Sequence, residues 1–146
     1  MTQAKRTITI LGVVAIATLF SAQCKDKGKE ATTDQPSTTA VELTGTPGNK
    51  MITVMEMGVK ALESNATDPA KAASELNRLM QAYDITAIRA EAKAAKEAGQ
   101  GASEAEKTRF KELTEKYKNL ATEVGKNDPA AFGAAHAEWS KLWSIN

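Results

Sequence analysis

Met51-Ile52-Thr53-Val54-Met55-Glu56-Met57-Gly58-Val59-Lys60-Ala61-Leu62 decides the fold class. Met51, Met55, Gly58 and Leu62 follow one another at intervals of four, three and four residues, with Val54 and Val59 beside them. A helix turns once in about 3.6 residues, so this spacing gathers the apolar groups into one stripe, whereas a strand would scatter them over both faces. The spacing predicts a helix over residues 49–64 whose stripe must be covered by other helices.

Downstream the same period recurs three times. Asp68-Pro69 reads as a helix start, because the Asp side chain accepts from orphan first-turn amides and a Pro there sacrifices no needed donor. From it Leu76, Met80, Tyr83, Ala87, Ala90 and Ala94 carry a four-three pattern to the break at Gly99-Gln100-Gly101, which predicts one helix of roughly thirty residues. Ser103-Glu104-Ala105-Glu106 is a capping box opening a third helix, with Phe110, Leu113, Tyr117, Leu120 and Val124 on its stripe and Gly125 at its end. Asp128-Pro129 opens the fourth, striped by Phe132, His136, Trp139 and Trp143. No segment alternates with period two, so no sheet is expected. The quartets Thr67-Asp68-Pro69-Ala70 and Asn127-Asp128-Pro129-Ala130 read as two uses of one cap. The prediction is an all-α fold, a small up-down-up-down four-helix bundle over residues 49–146.

Composition excludes much chemistry. The chain of 146 residues has one cysteine, one histidine and a formal net charge of +1. A single thiol cannot build a disulfide scaffold or a Cys-rich metal site, and one imidazole cannot build a multi-His centre. Near-zero net charge gives no footprint for nucleic acid. A di-iron bundle needs Glu-x-x-His, but Gly133 stands three residues before His136. No phosphate loop or Ser/His/Asp arrangement stands out, so no enzyme activity and no metal site is expected.

The N-terminal region sets an address. Lys5-Arg6 precede an apolar run over residues 8–20, then Ser21-Ala22-Gln23 and Cys24. As a helix the run measures about 20 Å against a bilayer core of about 30 Å, too short for a permanent span and suited to a secretory leader. Phe20-Ser21-Ala22-Gln23-Cys24 resembles the lipobox of bacterial lipoproteins, in the loose form of spirochaete-type members with Ser21 and Gln23 at the −3 and −1 positions. The resemblance implies a leader over residues 1–23, removed just before Cys24, and acyl chains on the Cys24 thiol. It also implies outer rather than inner membrane, since Lys25 and not Asp follows the cysteine. An unacylated secreted protein with a chance thiol is the alternative. Residues 24–48, rich in Lys, Asp, Thr, Ser, Gly and Pro, have too little to bury and read as a disordered tether.

His136 lies on an apolar stripe, and Met51, Met55 and Met57 sit where an antiparallel last helix would pass. Here the chain is similar to the soluble b-type cytochromes with a four-helix bundle, which implies haem b held by His136 with Met57 or Met55. That family places its His in the last turn, whereas His136 lies ten residues before Asn146. Packed histidine and core methionines are the plainer expectation. Trp139 and Trp143 are expected to close the core, or to leave one indole exposed as a partner contact. The sequence thus leads us to expect a lipid-anchored envelope protein. Its helical domain is a non-catalytic binding or structural module meeting an envelope or host protein, and the alternative is a lipid-anchored haem carrier.

Overall fold

The computed structural model describes residues 40–145. The leader, Cys24 and most of the predicted tether lie outside the described residues. Within them the fold is all-α, with α1 Pro47–Ser64, α2 Pro69–Ala82, α3 Ile85–Glu97, α4 Glu104–Asn127 and α5 Pro129–Trp143.

There are five helices among the described residues where four were expected, because the predicted thirty-residue helix is two. Tyr83 leaves α2 in an extended conformation (ψ 127°), and the Asp84 side chain accepts from Ala87 N at 2.9 Å to cap α3. The kink lets the Tyr83 ring enter the core while its hydroxyl accepts from Val41 N at 2.9 Å and donates to Val41 O at 3.1 Å. The other helix starts follow the capping rules. Asp68 accepts from Lys71 N at 3.0 Å, Asp128 from Ala130 N and Ala131 N, and Ser103 with Glu106 forms the reciprocal box. α1 begins at Pro47, capped by Thr46, two residues before its expected start. α3 ends where Gly99 takes φ +74°, a left-handed conformation that costs glycine nothing.

Side-chain pairs fix the helix directions. Thr46 with Glu106, Glu56 with Arg109 and Glu63 with Lys116 ascend together, so α1 and α4 run parallel. Phe110 with Trp143 and Tyr117 with Trp139 set α5 antiparallel to α4. α2 turns back along α1 and lies beside α5. Asn127 Nδ2 donates to Ala66 O at 3.1 Å, tying the two hairpin turns together.

Along the chain the direction therefore alternates as expected, but like-directed helices are neighbours. In the simplest bundle each helix sits between antiparallel ones. α3 makes this possible. It occupies the connection between the hairpins, joined to α1 by Lys50–Glu91 at 2.8 Å and to the end of α5 by Arg89, which donates to Leu142 O and Ser144 Oγ.

Trp139, Tyr117, Phe132, Met55, Leu62 and Leu76 are the largest fully buried side chains. Burying an aliphatic group of this size contributes about 1.5–3 kcal/mol. Trp139 fits because Gly58 faces it: a Cβ at residue 58 would overlap the indole ring.

Candidate functional site

The α4–α5 contact positions His136. It sits one turn after Phe132 and one before Ser140, at the half-buried edge of the α5 stripe. Its ring lies nearly parallel to Phe132 at 5.4 Å and stacks on Tyr117 at 5.8 Å. Tyr117 Oη lies 3.1 Å from His136 Nδ1, and Ser140 Oγ 3.4 Å from the same atom. Burial raises the Tyr117 hydroxyl well above its ordinary range, so it remains a donor. Burial also lowers His136, which favours the neutral imidazole. A neutral ring accepting at Nδ1 carries its proton on Nε2. Tyr117 was legible as a stripe residue, but its bond to His136 bridges two helices and had no local signal.

The two methionines proposed as partners of His136 lie apart from each other. Met55 is fully buried in the core, while Met57 is half-buried and faces a groove towards α2. His136 does not line that groove. From α5 the Trp139 ring reaches across the core and lies against Gly58 of α1. Ligation through Nε2 would leave the Tyr117 bond at Nδ1 in place, but a macrocycle reaching from His136 to Met55 or Met57 would have to displace the buried Trp139 indole, so the packing does not fit haem held by that pair. Among the described residues no group of three or more His, Cys, Asp or Glu is placed to hold a metal ion.

Both tryptophans are buried, Trp139 wholly and Trp143 with 5% exposed, so neither ring is offered to a partner. Gly58 makes room for the first and Phe110 covers the second at 5.6 Å. Their indole N–H groups have no acceptor among the described residues.

The recess beside Met57 is a groove of about 410 Å³ between α1 and α2. Met57, Ala61, Leu79 and Tyr83 form its inner surface, and exposed Val41 stands at its edge. Lys60 from α1 and Lys71 and Arg78 from α2 surround it, with Glu75 as the one carboxylate in the lining. Arg78 Nε donates to Glu75 Oε2 at 2.8 Å, and Lys71 Nζ lies 3.1 Å from Asp68 Oδ2. Lys60 has no carboxylate partner among the described residues. The sequence did not reveal this groove because its cations come from two helices whose mutual rotation only packing sets. No family model matches the chain, and no curated protein or solved structure matches it either.

Proposed function

We propose that this chain is a bacterial lipoprotein, held at the cell envelope by acyl groups on Cys24, whose helical domain serves as a non-catalytic binding or structural module. The observation that carries the reading is the place of the only cysteine, directly after a short apolar run and directly before a long polar stretch. Each buried methylene contributes about 0.8 kcal/mol, so two or more acyl chains hold a small domain at a bilayer while one holds it only marginally.

No helix among the described residues is long and apolar enough to cross a membrane. The polar composition between Cys24 and Val41 suits a solvated spacer with a reach of about 20 Å by random-coil scaling. Lys25 after the cysteine favours the outer membrane, with an envelope or host protein as the domain's partner.

Detergent phase partitioning of protein made in a lipoprotein-processing bacterium tests the reading. The wild type is expected in the detergent phase and Cys24→Ala in the aqueous phase. A wild type that partitions with the aqueous phase, or a Cys24→Ala chain that partitions like the wild type, rejects it.

A further inference from the structure

We propose that the groove between α1 and α2 binds a small amphipathic anion, a carboxylate or phosphate monoester with a short apolar body. Lys60 and Arg78 hold its head, and Met57, Ala61, Leu79 and Tyr83 receive its body. The proposal gives the binding-module reading a ligand class, and it rests on that reading's binding role, not on acylation of Cys24.

Four observations carry it. The groove, at about 410 Å³, falls within the range of roughly 300–1,000 Å³ typical of small-molecule sites. Its polarity is graded, with Ala61, Leu79 and Tyr83 buried on the inside and Lys60 and Lys71 exposed around them. Such a surface complements a molecule with one charged end and one apolar end.

The cations are also unequally used. Asp68 engages Lys71, and Glu75 engages only the Nε of Arg78, leaving the Nη1 and Nη2 fork and the Lys60 ammonium without a partner among the described residues. A guanidinium fork matches the two oxygens of a carboxylate or phosphate, and a charge-assisted bond of this kind is the stronger class. With Lys71 paired to Asp68 and Arg78 to Glu75, the Lys60 charge is left over and keeps the groove net positive, which favours an anion.

Finally, Val41 is the one exposed large hydrophobic residue among those described, at 57% exposure. Both its backbone groups are fastened by the Tyr83 hydroxyl, so this exposed isopropyl group is held at the groove's edge and is not a fraying end. It supplies apolar cover on a side the helices leave open. The two helix walls and this fastened edge suit a free small amphiphile over a lipid embedded in a bilayer.

The test uses the full chain carrying Cys24→Ser, which has no lipid, and titrates it by calorimetry and methyl NMR with hexyl phosphate. Hexanol and inorganic phosphate are the controls for body and head alone. One-to-one binding of hexyl phosphate is expected, at least about tenfold tighter than either control, with shifts at the Met57 and Ala61 methyls. Lys60→Glu and Arg78→Glu are each expected to weaken it about tenfold or more, the scale of a lost charge-assisted bond. Lys93→Glu, a charge-matched change on α3, should leave it unchanged. Three results overturn the proposal: no binding, equal affinity for hexanol, or unaltered affinity in a folded Lys60→Glu chain. Binding to phosphatidylglycerol vesicles but not to hexyl phosphate also overturns it, by assigning the cations to a bilayer. Because no lipid is attached, a negative result here leaves the Cys24 reading untouched, and that reading fails separately by partitioning.

Discussion

Gly58 and Gly133 are both helical glycines, yet alanine should act oppositely at the two. Alanine in a helix interior is ordinarily favoured over glycine by about 1 kcal/mol. At Gly133 a Cβ meets nothing within 4 Å, so Gly133→Ala is expected to stabilise by up to about 1 kcal/mol. At Gly58 the Cβ collides with the buried Trp139 ring, and overpacking typically costs about 1–3 kcal/mol. Gly58→Ala should therefore lower the urea midpoint while Gly133→Ala raises it; a rise in both would refute the packing of the Trp139 ring against Gly58. His136 supplies a pH test. Its folded-state pKa lies below the ordinary 6.5, so below that pH the unfolded chain takes up a proton first. Stability should be constant at high pH, fall as pH drops through about 6.5, and level off below the folded-state value. Urea unfolding between pH 8 and 5 measures this, and His136→Gln should flatten the profile. Asp68 and Glu106, both lowered by their hydrogen bonds, lose their contributions only under more acidic conditions, below the ordinary carboxylate range. His136 was legible as a stripe residue beside Phe132; its bond to Tyr117 was not, because a contact across two helices has no sequence period.

α3 shows where the reading of the elements stopped. Met80, Tyr83, Ala87 and Ala90 keep a helical spacing straight through the break, so periodicity concealed it. The available signal was Asp84, an acceptor placed just before Ile85, and without a following proline it did not stand out as Asp68 and Asp128 did. Asp84→Ala should cost about 1 kcal/mol, the usual worth of such a cap, and should speed amide exchange in the first turn of α3 before that of α4. Equal exchange in both helices would mean that burial of Ile85 and Ile88, not the cap, starts α3. The start of α1 was missed for a related reason. Thr46 is a cap whose hydroxyl also donates to Glu106 Oε1, while Glu106 Oε2 accepts from Ser103 N at 2.7 Å. One carboxylate thus serves the N-terminal ends of α1 and α4, a long-range partnership that the capping box at Ser103 does not announce.

For the whole molecule, the apolar stripes carried the all-helical class and the three capped starts at Asp68, Ser103 and Asp128 carried most boundaries. They could not carry which helices are neighbours. Stripes say that faces are covered, but the parallel contacts of α1 with α4 and α2 with α5 depend on α3 spanning the connection, and that helix was hidden. The same limit applies to the groove beside Met57, whose cations stand on separate helices. The envelope reading depends instead on a linear signal, Phe20 to Cys24, which no packing argument reaches. Intact mass spectrometry of the mature N-terminus, from protein made in a lipoprotein-processing bacterium, tests it most directly. A chain beginning at Cys24 and heavier than its amino acids by two or three acyl groups is expected. A chain that retains its leader, or begins downstream of Cys24 with no added mass, would contradict it.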